Sequence, residues 1–156
     1  MEKLNYFEAE KEVIDSISKN KLMVLATSFE NRVTARTMSI INKGITIFFQ
    51  TDKNFIKYQQ IERNPNVALC IENIQIEGIA KIKGHPYENS FFTDTFKIKH
   101  KGSYENYSHL TDEIVIEVEP HFITFWKYNE TDRKPYRDFI NVRERKAYRE
   151  YYLKTI

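Results

Sequence analysis

Between Ile74 and Lys83 the chain changes polarity with a period of two. Ile74, Ile76, Ala80 and Ile82 share one parity, and Gln75, Glu77, Lys81 and Lys83 take the other. Successive side chains of an extended strand point to opposite faces, so this pattern describes a strand with one dry and one wet side. Gly78, in its middle, marks a bulge or a close approach of a neighbouring backbone.

The flanking segments supply partners. Leu22-Met23-Val24-Leu25-Ala26-Thr27 suits a buried strand, Glu30-Asn31-Arg32 has turn composition, and residues 33–41 read as a second strand. Asn42-Lys43-Gly44 turns the chain into a third, Ile45 to Thr51. Val67 to Ile71 is another, and Ile114 to Glu119 and Phe122 to Trp126 read as two strands broken at Pro120. Helices are expected between them. Residues 7–19 put Val13, Ile14 and Ile17 on one face, with Glu8, Glu10 and Glu12 toward the helix start, where the dipole favours acids. A short helix opened by Asp52 and Asn54 turns Phe55, Tyr58 and Ile61 inward and ends at Asn64-Pro65. A third, Tyr87 to His100, faces Tyr87, Phe91, Phe92 and Phe96 inward, and Lys101 to Leu110 follows as a polar loop. The basic, tyrosine-rich remainder ends in a helix from about Val142. Six or seven strands in meander order with inserted helices describe a mainly β chain closed into a small antiparallel barrel, because closure removes exposed sheet edges.

At 156 residues the chain suits one domain, 1–156, with a C-terminal extension from about 127. It is 41% hydrophobic and 14% aromatic, enough for a packed core without metals or disulfides, and its single cysteine, Cys70, excludes an intrachain disulfide. A net charge of +2 gives no field that would demand a polyanion. No signal-peptide stretch and no run of membrane-spanning length is present, so a cytoplasmic protein is expected.

The chemistry concentrates between Arg36 and Lys57. In a strand Arg36 shares a face with Thr34, Met38 and Ile40, and a guanidinium among apolar neighbours needs a partner. That partner is either a carboxylate or the oxygens of a phosphate, which arginine holds bidentately. The helix after Asp52 shifts the balance. Its N-terminus collects anions, yet Lys53 and Lys57 stand there, and a bound phosphate would resolve the conflict, with the Thr51 hydroxyl as a further donor.

Leu25-Ala26-Thr27, Arg36-Thr37-Met38, Phe49-Gln50-Thr51-Asp52, Lys57, Asn64-Pro65 and Ile76-Glu77-Gly78-Ile79-Ala80 occur in the order and spacing found in pyridoxamine 5'-phosphate oxidase-like proteins. The resemblance covers roughly Glu12 to Trp126 and is nearest to the small, general-stress-protein-like members. It implies a six-stranded split barrel, a homodimer, and FMN at the dimer interface. Arg36 and Lys57 would hold the flavin phosphate with help from Thr51. Thr37 and Met38 would lie along the isoalloxazine ring, and Phe49 and Gln50 would flank it. Asn73 stands where the oxidases have a flavin-contacting glutamine, and Trp126 falls in a strand that approaches the other subunit's flavin. Two positions depart from the family pattern: Phe55 replaces a serine and Ile41 a lysine. The implied result is either a weaker hold on the phosphate or compensation by Ser39 and Lys53. The C-terminal arginine and tryptophan pattern that binds pyridoxal phosphate is not recognisable, which argues against vitamin B6 oxidation. The expected activity is therefore an FMN-dependent oxidation or reduction of a small molecule, with NAD(P)H a candidate electron donor. Carriage of flavin, deazaflavin or haem with little turnover is the alternative within the same fold.

Other classes have less support. His85, His100, His109 and His121 fall in no metal-ligand spacing, and no G-x-S-x-G, P-loop or G-x-G-x-x-G sequence is present. The segment from Tyr136 to Tyr152 mixes bases and aromatics as single-strand nucleic-acid-binding barrels do, but Asp138, Glu144 and Glu150 interrupt its charge. No nucleic-acid partner is expected.

Overall fold

In the computed structural model, which describes residues 1–152, ten strands form one antiparallel sheet. In chain order the elements are β1 (Glu2–Leu4), α1 (Tyr6–Lys19), β2 (Leu22–Phe29), β3 (Arg32–Ser39), β4 (Ile41–Lys43), β5 (Thr46–Asp52), α2 (Ile56–Arg63), β6 (Asn66–Ile71), β7 (Ile74–Ile82), α3 (Ser90–Lys99), α4 (Lys101–Tyr107), β8 (Glu113–Tyr128), β9 (Pro135–Asn141) and β10 (Lys146–Tyr151). A 3₁₀ turn, Pro86–Glu88, leads into α3.

The path of hydrogen-bonded strands runs β3-β2-β6-β7-β8, and β5 joins at β8. The chain passes directly from β3 through β4 to β5, yet β3 pairs with β2 and β5 pairs with β4 and β8. The barrel is therefore split along the β3/β5 seam. Residues 33–41 are two strands rather than the expected one. The chain turns at Ile40, whose N–H donates to Lys21 O at 3.1 Å and whose carbonyl meets His100 Nε2 at 2.8 Å. The bond from Ile40 to Lys21 ends the β2–β3 ladder and releases the chain to start a new hairpin.

The alternating segment is β7, paired on both sides, with Ile74 and Ile76 fully buried. Gly78 performs both services suggested for it. The register shifts between Glu77 and Gly78, leaving His121 as the extra residue on β8. A Cβ on Gly78 would lie 2.7 Å from Val118 Cγ1 and 2.8 Å from the Glu119 carbonyl oxygen. That bulge also explains why Pro120 does not break β8, which continues as a single strand of 16 residues in place of the expected two. Proline is tolerated where the ladder is already interrupted.

Three further expectations are corrected. Lys101 to Leu110 begins with the helix α4, whose polar residues carry no periodic apolar stripe because none of them is buried. In α3 the buried residues are Phe92 and Phe96, while Tyr87 lies in the preceding turn and is exposed. The C-terminal segment forms the hairpin β9–β10 and not a helix. Arg145, with φ 55°, sits in its turn, and Tyr148, Arg149 and Glu150 stand opposite Phe139, Asp138 and Arg137. The part of the expected terminal helix beyond residue 152 lies outside the described residues.

One core joins these parts. Leu25, Phe49, Leu69, Ile76, Val118 and Ile123 fill the barrel, and Val13 and Ile17 of α1, Ile140 of β9 and Ala147 of β10 enter the same cluster. The C-terminal hairpin is thus part of the hydrophobic interior. It is further tied by Asp138, a buried carboxylate that accepts from Lys127 Nζ at 2.8 Å and from Arg149 Nε at 2.7 Å. A second, smaller cluster of Ile41, Phe48, Val115, Phe92 and Phe96 seats α3 on β4 and β5. The helix pair α3–α4 thereby stands beside the open seam. No helix among the described residues is long and apolar enough to cross a membrane.

Candidate functional site

The seam holds a cleft of about 450 Å³. Thr37, Met38 and Ser39 of β3 form one wall and Gln50, Thr51 and Asp52 of β5 another. Phe55 and Lys57 stand at the start of α2, α3 and α4 contribute Phe96, Ser103 and Tyr107, and Leu110 and Glu113 close the site. Interrupted pairing between β3 and β5 is what makes room for it.

Arg36 stands beside this cleft. Its guanidinium has no carboxylate partner among the described residues. Instead Nη1 donates to Thr27 Oγ1 at 2.8 Å and to Leu25 O at 3.3 Å, and Nη2 donates to Thr34 Oγ1. Both hydroxyls in turn donate to Gln60 Oε1, at 2.5 Å from Thr27 and 2.7 Å from Thr34. Gln60 is buried in α2 and anchored by its own donation to Arg32 O at 3.1 Å. Because Gln60 accepts both hydroxyl protons, the threonine lone pairs are turned toward Arg36. A guanidinium has five N–H donors. The three bonds made here leave two of them, including Nε–H, without a protein partner among the described residues. Burial makes the charged form of Arg36 less favourable than in water.

Lys57 is the second cation. Burial and then the charge of Arg36 lower its pKa, with Glu113 and Asp52 opposing the shift. Its Nζ lies 4.7 Å from the centre of the Phe55 ring, so the aromatic residue expected to face the core instead stands outside it and holds the lysine by a cation–π contact. Phe55 is also the N-cap of α2 and makes no side-chain capping bond, which leaves the first N–H groups of that helix available to an anion.

The acidic side of the cleft is Glu113. It is 5% exposed, lines the cleft, and pairs across the ladder with Asp52. Desolvation and then the neighbouring Asp52 push its pKa up to about 7, against the pull of Lys57. Among the described residues no donor or cation bonds its carboxyl group.

The residues singled out in the sequence divide clearly. Thr37, Met38, Ser39, Gln50, Thr51 and Lys57 line the cleft, and Arg36 is within electrostatic reach of Lys57. Gln50 accepts from the buried Ser108 Oγ at 2.7 Å, which fixes its amide plane. Phe49 is fully buried in the barrel core, because it points to the opposite side of β5 from Gln50. Lys53 is exposed and absent from the cleft lining, held by its backbone N–H to Asp112 O at 2.9 Å. Asn73 and Trp126 lie together elsewhere, the Trp126 N–H donating to Asn73 O at 2.9 Å. Ile41, at the other departure from the family pattern, is buried against α3 and could not extend a charged group into the cleft.

Gln60 and Glu113 were not apparent from sequence, and Thr27 and Thr34, though placed in the motif and on the face of Arg36, were given no role there. Gln60 follows Lys57 by three residues and so shares its helix face, which is a usable signal. Glu113 gave a weaker one, as an acid opening an apolar strand.

Residues 9–127 match the pyridoxamine 5'-phosphate oxidase family. General stress protein 26 of Bacillus subtilis is 31% identical over 68 residues, a match covering 44% of this chain and 49% of that protein. The chain thus matches about half the length of this curated relative. Among solved structures, the haem storage protein HutZ from Vibrio cholerae superposes with a TM-score of 0.61 at 15% identity, covering 71% of this chain and 89% of the other. An FAD-binding protein from Mesorhizobium loti gives a TM-score of 0.58 at 8% identity, covering 72% of this chain and 90% of the other. At such identities these two likenesses describe the fold alone, and they come from proteins with different ligands.

Proposed function

This chain belongs to the pyridoxamine 5'-phosphate oxidase family, and we propose that it is an FMN-dependent oxidoreductase of small molecules, with the flavin phosphate held by Arg36 and Lys57. The observation that carries the reading is the pair of neighbouring, partly buried cations with no ion-paired carboxylate among the described residues, beside a helix start that no side chain caps. Two like charges in reduced solvent repel each other, and an anion with several oxygens relieves both at once. A phosphate monoester fits that donor set.

Bound FMN would supply the redox chemistry, and the protein's own part is binding, orientation and water exclusion. The two unused N–H groups of Arg36, the ammonium of Lys57 and the free N–H groups of α2 would hold the phosphate. Thr37, Met38 and Gln50 line the part of the cleft where the ring would lie, and Tyr107 and Leu110, which line the same cleft, would exclude water from it. Phe55 takes over part of the missing serine's task by holding Lys57 in place. A small-molecule substrate would enter past α4.

The assembly we propose is a homodimer. Leu22 and Val24 of β2 and Val33 of β3 are 51%, 38% and 70% exposed, an apolar face suited to a second copy. Asn73 and Trp126, which do not line the cleft of their own chain, would serve the flavin only across such an interface. Haem carriage is less well supported. No histidine lines the cleft, and the His100 and His85 rings bond backbone groups at 2.8 Å. Nucleic-acid binding has less support, since three bases of the C-terminal segment, Arg137, Lys146 and Arg149, are paired with Glu150, Glu144 and Asp138.

The test is a titration of purified protein with FMN, read by flavin fluorescence quenching and by the visible flavin absorption left after desalting. Retained flavin, eluting at the dimer size and reducible by NADH or NADPH, supports the proposal. Unquenched FMN and colourless protein would overturn it.

A further inference from the structure

Glu113 is nine-tenths buried, opens onto the cleft, and has no hydrogen-bond or ion-pair partner for its carboxyl group among the described residues. Directly across the ladder stands another acid, Asp52. An ionised, unpaired carboxylate in that position is doubly disfavoured, by desolvation and by like charge. Asp52 Oδ1 accepts from the backbone and side chain of Asn54, at 2.7 and 2.9 Å, and no side-chain bond joins Asp52 to Glu113 among the described residues. The charged groups that act on Glu113 are Asp52 from β5 and Lys57 from α2, and Tyr107 from α4 lines the same cleft. Arg36 reaches it only through Lys57.

We propose that Glu113 acts as a binding residue of this cleft in its carboxylic acid form, donating its O–H to an oxygen of the anionic occupant, so that anion binding is linked to one proton. This inference rests on the flavin-phosphate reading of the same cleft. The neutral acid adds a donor next to Lys57. The ionised form would place a second negative charge where the phosphate must sit, and would compete with it for Lys57. The cleft then distinguishes occupants by their acceptor oxygens: a phosphate or carboxylate gains from the acid, and a neutral apolar ligand does not.

The sign follows from the burial of the group. The proton is bound below about pH 7 and lost above it. FMN affinity therefore falls as pH rises through neutrality, approaching tenfold per pH unit on the alkaline side. The flavin phosphate titrates in the same region, so the readout is a ratio. The dissociation constant of FMN is measured for wild type and for Glu113→Gln between pH 6 and pH 8, by fluorescence quenching. The glutamine keeps a donor and cannot ionise.

The wild-type constant divided by that of Glu113→Gln should rise about tenfold across the range. Calorimetry in two buffers of different ionisation enthalpy should show proton uptake by wild type at pH 8 in excess of that by the variant. A ratio independent of pH, or equal proton uptake by the two proteins, overturns the role of Glu113 while leaving FMN binding intact. Failure of wild type to bind FMN at any pH in the range overturns the flavin reading and this inference with it.

Discussion

Replacing Arg36 by methionine separates a ligand-binding arginine from a structural one, because the two roles predict opposite patterns. Methionine keeps the apolar stem and removes the charge and all five donors. If the two unused N–H groups meet phosphate oxygens, the variant loses two charge-assisted bonds of about 1.5–3 kcal/mol each. The loss of about 3–6 kcal/mol corresponds to a rise in the FMN dissociation constant of roughly a hundredfold to ten-thousandfold. Stability without flavin should respond far less. The variant forfeits the bonds to Thr27, Thr34 and Leu25, but both threonine hydroxyls still donate to Gln60. It also ends the desolvation of Arg36 and the repulsion of Lys57. These terms oppose one another, so the flavin-free melting temperature should move by no more than about 4 °C. Fluorescence titration and thermal unfolding of the same preparations give both numbers. If Arg36 were a structural cation, its removal would cost about 3–5 kcal/mol, or roughly 10 °C. A drop of that size, with FMN affinity within about threefold of wild type, would refute the reasoning.

The supporting structure makes its own predictions. Gln60→Leu leaves the Thr27 and Thr34 hydroxyls without their acceptor and should cost about 2 kcal/mol in urea unfolding, together with weaker FMN binding as Arg36 loses its orientation. Unchanged stability would show that solvent replaces the amide. Gly78→Ala forces a Cβ against the Glu119 carbonyl, so chemical denaturation should show a loss of about 1–3 kcal/mol, and a loss below that range would mean the bulge can open. Asp138→Asn removes the charge shared by Lys127 and Arg149 and should cost about 3–5 kcal/mol at neutral pH. The two bases hold the Asp138 pKa below the ordinary carboxylate range. Its stabilisation is therefore complete above that range and is lost as pH falls through the lowered folded value. Wild type should accordingly lose stability in acid more steeply than the variant, and parallel acid-denaturation curves would contradict this linkage.

Most of the barrel was legible because its strands carry local signals. The alternation from Ile74 to Ile82, the Glu30-Asn31 turn and Gly44 each specify backbone geometry within a few residues, and the structure shows a positive φ at all three turn residues. What could not be read was set by contacts far away in sequence. Pro120 looks like a strand break until Gly78, on another strand, supplies the bulge that accommodates it. The C-terminal hairpin resembles a helix because Tyr148, Tyr151 and Tyr152 fall at three- and four-residue spacing, and only the distant pairing of Lys127 with Asp138 reveals which face turns inward. α4 contains none of the apolar periodicity that marks a helix, because it roofs a cleft and only Tyr104 packs against the smaller core cluster.

The candidate site shows the same division, with consequences for its two departures from the family pattern. Each looked like the loss of a phosphate donor. Phe55 exchanges a hydroxyl for a ring that holds Lys57 and leaves the helix start uncapped, so the position still acts on the anion through its neighbours. Ile41 exchanges a possible charge for a place in the cluster under Phe92 and Phe96, and that cluster is what seats α3, the helix leading into the α4 roof. A lysine there would have to bury its ammonium or unseat the roof. The donor removed at that position is set against Glu113, which can contribute an O–H from the opposite wall while it remains protonated. A site rebalanced in this way carries less permanent positive charge, and its hold on an anion becomes a function of pH.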